Sequence, residues 1–187
     1  MTVRAARASD AAALAELQDE ANGGHLRALA WNRPGRDWRR VGTAVIEDDT
    51  SEMSWQRSIV ACDGERVVGM LNYADNTSIP PVSDPIGAPF VSLRHQLGPC
   101  LYLRAMAVLP SERGRGVGTM LLDIATGAAR ENGSRTMGVI VHEQTDGLLA
   151  HYRSRGFREI ATERVVRHHS YPSGSKLLAL RLELASV

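Results

Sequence analysis

The stretch Ser111 to Leu122 reads SERGRGVGTMLL, with Gly114, Gly116 and Gly118 spaced by Arg115 and Val117 and an apolar helical pattern directly behind them. This composition suits the binding of a phosphate. The first turn of a helix leaves N–H groups without intrahelical partners, and the helix dipole is positive there. Glycines remove Cβ atoms, so the backbone can close on an anion. Arg113 and Arg115 can add charge-assisted hydrogen bonds. The plain alternative is a tight strand-to-helix turn whose arginines are solvated. Of two nucleotide readings, one fails on the residues and the other is weak. A triphosphate loop of the Walker A type needs a lysine that reaches the β- and γ-phosphates, and residues 111–122 hold none. A dinucleotide fingerprint counted from Gly114 needs its third glycine at position 119, where Thr119 stands.

The other chemistry-bearing residues are scattered. Tyr152 precedes Gly156-Phe157 at the end of a helical pattern. His142 and Glu143 follow an apolar strand, His95 lies in a proline-rich segment, and Glu47, Asp48 and Asp49 form an acidic run. Each is a candidate proton acceptor, and each has an ordinary reading as a solvated loop residue. His168-His169 has no third ligand at metal spacing, so no metal is expected. Trp31, Trp38 and Trp55 are read as core residues or as walls of an acceptor cleft.

The 187 residues and 43% hydrophobic content suit one domain with an ordinary core, spanning residues 1–187. A net charge of +1 gives no general reason to expect nucleic acid as a partner. Lys176 is the one lysine beside 21 arginines, a bias spread over the whole chain. No apolar run reaches 18 residues and the opening MTVRAARASD lacks an apolar core, so neither a membrane span nor a signal peptide is expected. Cys62 and Cys100 lack metal spacing and read as reduced buried thiols of a cytoplasmic protein.

The elements that must position these residues follow from periodicity and turn chemistry. Strands are expected at Thr2 to Ala6, Ser58 to Cys62, Arg66 to Tyr73, Cys100 to Val108, Thr136 to Val141, Phe157 to Val166 and Leu177 to Leu184. Asp63-Gly64-Glu65 reads as a hairpin turn. Helices are expected at Ala11 to Asn22, around Leu26 to Ala30, at Trp38 to Ile46 and at Asp146 to Arg155. After the glycine loop, Val117, Leu121, Ile124, Ala125 and Ala128 share one helical face. Residues 75–99, with five prolines, read as one long loop. The order predicts a single mixed α/β domain.

Residues 100–122 resemble the acetyl-CoA-binding core of the GNAT family of N-acetyltransferases. The family signature Gln/Arg-x-x-Gly-x-Gly/Ala is met by Arg113, Gly116 and Gly118. It follows a strand ending Leu-x-Val-x-Pro, matched by Met106 to Pro110. Tyr152-Arg153-Ser154-Arg155-Gly156-Phe157 supplies the family's Tyr and Gly-Phe. The resemblance covers residues 57–160 best. It implies the acyl-CoA N-acyltransferase fold, a mixed and mostly antiparallel central sheet flanked by helices. It also implies transfer of acetyl from acetyl-CoA to a primary amine, and the long proline-rich loop, which could cover a small pocket, favours a small-molecule amine over a protein terminus or lysine. A non-catalytic acyl-CoA sensor and an ATP-class nucleotide binder stay as alternatives.

By the same resemblance, the backbone of Met106, Ala107 and Val108 holds the pantetheine arm, and an N–H near Met106 or Ala107 polarises the thioester. Arg113, Gly114, Arg115, Gly116, Val117, Gly118 and Thr119 hold the pyrophosphate. Thr145 contributes to the cofactor arm, and Tyr152 gives a proton to the departing sulfur. Homodimers are common in the family, and no segment here marks an interface. Three positions depart from the pattern: Thr145 replaces a frequent Asn, Leu148 a frequent Ala, and Arg104 a strand residue that is often acidic.

Overall fold

The computed structural model describes residues 1–22, 24, 27, 37–82, 87–165 and 175–184. The strand and helix order is β1 (Thr2–Ala5), α1 (Ala11–Ala21), α2 (Trp38–Glu47), β2 (Ser58–Asp63), β3 (Arg66–Asp75), α3 (Ala88–Leu97), β4 (Leu101–Val108), α4 (Val117–Glu131), β5 (Thr136–His142), α5 (Asp146–Ser154), β6 (Arg158–Arg164) and β7 (Lys176–Glu183). The seven strands form one mixed sheet in the order β1-β2-β3-β4-β5-β7-β6, with one parallel pair, β4 and β5, among the registers described. The mixed α/β architecture is as the element order predicts, and the mostly antiparallel sheet is as the family resemblance implies.

Two compact units divide the chain, Met1–Ala74 with Arg104–Thr126, and Asp75–Leu103 with Gly127–Val187. In the first, β1 pairs with β2, and β2 with β3 through the predicted hairpin, where Gly64 takes φ +60. Helix α1 packs against α2. Leu14, Leu17, Ile46, Val60, Met70, Ala105 and Ala107 close the core below them. The turn after β1 is fixed by Asp10, which accepts from both guanidinium nitrogens of Arg4, at 2.7 and 3.0 Å, and from the Arg7 N–H at 2.7 Å. The Arg4 hydrogen bond holds the Asp10 carboxyl below its ordinary range.

In the second unit, β7 lies between β5 and β6, antiparallel to both. Helix α3 packs on β6 and β7. It replaces the long loop expected over residues 75–99. Pro89 stands in its first turn, where a missing N–H costs nothing, so proline opens this helix and does not forbid it. Its other end is closed by Gly98 at φ +66 and by Asn76, whose amide donates to the carbonyls of Arg94 and Gly98 at 2.8 and 2.9 Å.

The buried row of α4 also differs from the expected one. Val117, Leu121, Leu122, Ala125 and Ala129 are buried, while Ile124 is 41% exposed. The contact row follows the i, i+4 ridge, and position 124 lies off it. Trp55 packs against the first unit's core, and Trp38 lies under the guanidiniums of Arg27 and Arg39. The expected helix around Leu26 to Ala30 falls mainly outside the described residues, as do Trp31 and the His168-His169 pair. None of the described helices is long and apolar enough to cross a membrane.

Candidate active site

In the first unit β4 ends at Val108, and the Leu109 N–H donates to the Val68 carbonyl at 2.9 Å, tying the strand end to β3. One 3-10 turn, Pro110–Glu112, follows. Gly114 and Gly116 then take φ +77 and +81, and α4 begins at Val117. A side chain at either glycine would be strained by that backbone. Neither position is crowded, since a Cβ there would meet nothing within 4 Å. The Gly116 carbonyl accepts from Met120 at 3.0 Å, so the N–H groups of Val117, Gly118 and Thr119 form the unpaired start of the helix ladder. Open space over a helix N-terminus built on left-handed glycines fits a pyrophosphate.

The loop's two arginines are held by carboxylates. The Arg113 guanidinium donates to the Val108 carbonyl at 3.2 Å and to Glu20 of α1 at 2.8 Å. Arg115 pairs with Glu112, which is buried. Gly69 of β3 seats the loop from below. A methyl at Gly69 would stand 3.0 Å from Val117 Cγ1 and 3.2 Å from the Ala107 carbonyl, so its bare Cα lets the first turn of α4 settle on the strand. Along β4, Met106 and Val108 are half-buried and Ala107 is buried.

In the second unit, Tyr152 sits in the last turn of α5. Gly156 at φ +89 ends that helix, its N–H donating to the Arg153 carbonyl at 3.0 Å, while the Phe157 N–H donates to the Tyr152 carbonyl at 3.1 Å. These two bonds form a Schellman cap, and its usual apolar contact is made by the rings of Tyr152 and Phe157, edge to face at 5.2 Å. The Tyr-x-x-x-Gly-Phe pattern is thus a helix stop that fixes a tyrosine. Burial, and then the neighbouring Tyr102, push the Tyr152 phenol well above its ordinary value. It stays protonated at neutral pH, as a proton donor must.

Residues 15–157 match the acetyltransferase (GNAT) family. The chain belongs to the GNAT acetyltransferase family. Solved structures share the GNAT fold. An N-acetyltransferase from Staphylococcus aureus Mu50 aligns with TM-score 0.71 and 14% identity, over 97% of this chain and all of the other. The yncA structure from Salmonella typhimurium, solved with its cofactor acetyl-CoA, aligns with TM-score 0.64 and 20% identity, over 100% and 95%. A ribosomal-protein-alanine N-acetyltransferase from Brucella melitensis gives TM-score 0.63 and 22% identity, over 98% and 100%. No protein of curated function matches the sequence.

Within this GNAT chain the structure assigns local duties to the remaining candidates. The Thr145 hydroxyl and N–H both donate to the His142 carbonyl, at 2.6 and 3.1 Å, so this side chain closes its own turn before α5. His142 is the last residue of β5. Its ring meets Phe90 edge on at 6.4 Å, and burial lowers its pKa. Glu143 accepts the Lys176 N–H at 2.9 Å and anchors the start of β7. His95 is an exposed residue in the last turn of α3. Asp48 accepts from the Thr50 N–H and hydroxyl at 2.9 and 2.7 Å, and Asp49 from Gln56 at 3.1 Å. Glu47 ends α2 and is exposed.

The loop residues Arg113 to Thr119 thus meet at one strand-to-helix junction, while Thr145 stands at the N-cap of α5 and Tyr152 in its last turn. Sequence reasoning passed over Gly69 and Glu112. Gly69 carried a signal, a glycine inside an apolar strand, which marks a close approach. Glu112 carried none.

Proposed function

We propose that this protein transfers the acetyl group of acetyl-CoA to a primary amine of a small molecule, by direct attack within a ternary complex. The observation that carries the reading is the junction of β4 and α4, with two left-handed glycines, open space above them and a helix N-terminus behind. Amides of residues 115–119 receive the pyrophosphate there. Backbone groups of Met106 and Val108 pair with the pantetheine arm, and an N–H at Met106 or Ala107 polarises the thioester carbonyl. The neutral amine attacks the carbonyl carbon, the C–S bond breaks, and the sulfur takes the proton of the Tyr152 hydroxyl. The ammonium loses one proton to a base or to water before attack, and the attacking nitrogen gives up a second as the amide forms, which water returns to the Tyr152 phenolate. A cytoplasmic location, one domain over 1–187 and action without a metal belong to the same reading.

A protein N-terminus is the second acceptor reading, favoured by the fold shared with the Brucella ribosomal-protein-alanine enzyme. A thermal-shift series with CoA, ATP and NAD tests donor binding. A ligand at 100 times its Kd stabilises the fold by about 2.7 kcal/mol, and the shift is expected with CoA alone. Thiol release from acetyl-CoA across amines and N-terminal peptides then separates enzyme from sensor. Stabilisation by ATP without CoA would overturn the reading.

A further inference from the structure

We propose that the second unit carries a binding site for a small organic monocarboxylate with an apolar body, separate from the residues proposed for acetyl transfer. A cavity of about 830 Å³ opens where β6 begins and β7 ends, with Gln96 of the last turn of α3 at its edge. That volume is in the range of small-ligand sites. Arg181 of β7 lines it and stands four residues from Leu177, the partner of His142 at the end of β5. Four strand residues span about 13 Å. The cavity therefore lies at the other end of the strands from the turn that starts α5.

A row of three residues runs across the sheet into this cavity. Gly138 of β5 pairs with Arg181, and Arg181 pairs with Arg158 of β6. Residues directly opposite on antiparallel strands share a face. Helix α3 covers the start of the row, since a Cβ at Gly138 would stand 3.0 Å from both Leu97 methyls. Arg181 and Arg158 continue the row beyond the helix and line the cavity.

Like charges directly opposite each other destabilise a sheet. The chain supplies a counter-charge to one of the two. Glu183, two residues on and on the same face, accepts from Arg181 Nε at 2.8 Å. Arg158 has no hydrogen-bond or ion-pair partner among the described residues. Its sequence neighbour Glu159 is engaged by Arg153 at 3.5 Å. Two guanidiniums and one carboxylate leave one positive charge, which matches a monoanion. The planar fork of Arg158 suits a carboxylate.

The apolar part of the site comes from a bulge. The register of β6 on β7 shifts between Glu159 and Ala161, and Ile160 is the extra residue. Bulges re-aim side chains. Ile160, 43% exposed, lines the cavity together with Leu182. A scattered surface isoleucine would mean nothing. This one stands two residues from an uncompensated guanidinium in the same cavity, so head and body of one small acid are both provided for.

Isothermal titration calorimetry of the full chain, with and without saturating CoA, tests the site with hexanoate, hexanamide, acetate and inorganic phosphate. Hexanoate is expected to bind with Kd below about 1 mM, and the other three at least about tenfold more weakly. Arg158→Met should weaken hexanoate about tenfold or more, and Arg158→Lys should keep part of the affinity. Ile160→Asn should weaken hexanoate and leave acetate unchanged. Arg158→Met also removes the facing charge, so its melting temperature without ligand should equal or exceed that of the wild type.

No hexanoate binding up to about 10 mM overturns the proposal, as does equal affinity for hexanoate and hexanamide. Acetate or phosphate binding as tightly as hexanoate would reduce the site to unspecific anion attraction and overturn it too. An affinity unchanged in Arg158→Met, or competition between hexanoate and CoA, has the same consequence. The ligand series on the wild type decides alone should a variant fold poorly.

Discussion

The glycine loop of the first unit and the Tyr152–Phe157 turn of the second use the same part for opposite ends. Each places glycine at positive φ beside a helix terminus. Gly116 lies at a helix start with open space around it, whereas Gly156 follows a helix end and a methyl there would lie 3.3 Å from Leu182 Cδ1. The loop leaves its surface open, as the proposed pyrophosphate seat needs. The turn shuts a surface and pins a phenol, which is 1% exposed. A glycine in a motif therefore does not say whether space is being kept or filled. Only the neighbours decide.

The contrast breaks most visibly at Tyr152. Tyr152→Phe keeps the ring on Phe157 and loses the hydroxyl. It should lower kcat by about 100-fold or more, while CoA binding and urea stability hold within about 1.5 kcal/mol. A kcat within twofold of wild type would reduce the turn to a packing motif.

The two glycines sharpen it next. Gly156→Ala combines backbone strain with a tight contact and should cost about 2–3 kcal/mol of unfolding free energy. Gly116→Ala meets strain alone, about 1–2 kcal/mol. Its larger consequence should be a CoA Kd raised about tenfold. Urea melts beside CoA titrations read the two effects, and equal profiles for both variants would erase the distinction. Gly69→Ala should lift the start of α4 off β3 at a cost of about 1–2 kcal/mol, with a smaller rise in CoA Kd.

The smallest effect is alkaline. Burial raises the Cys100 thiol from 9.0 to about 11 and also raises the Tyr152 phenol above its reference of 10.0. Both groups hold their protons more tightly folded than unfolded. Their contribution is whole below about pH 9 and is lost as pH rises through the folded values. Cys100→Ala should flatten the stability curve between pH 9 and 11, and Tyr152→Phe should flatten it above pH 10. A base-side limb in kcat/KM below pH 10 should survive Tyr152→Phe.

What was legible followed from local chemistry. The Asp63-Gly64-Glu65 hairpin, the start of α4 behind its glycines and the stop at Gly156 are each written within a few adjacent residues. Helix α3 was not legible, because prolines crowd its flanks and its C-terminal carbonyls are capped by Asn76, distant in sequence. The approach of Val117 to Gly69 and of Glu52 to Arg104 depends on tertiary placement, which periodicity does not encode. The glycine loop could be read as an anion seat, yet the carboxylates on its arginines could not.

Those carboxylates change how the loop behaves as an electrolyte. Arg113 carries Glu20, and Arg115 carries Glu112. Each arginine already has a counter-ion supplied by the chain, so on the proposed reading an arriving diphosphate would displace carboxylate as well as water. On that reading the seat would work as an ion exchanger in which Glu20 and Glu112 offset most of the charge of Arg113, Arg115 and Arg66. Binding there should then weaken less with salt than two bare arginines would suggest.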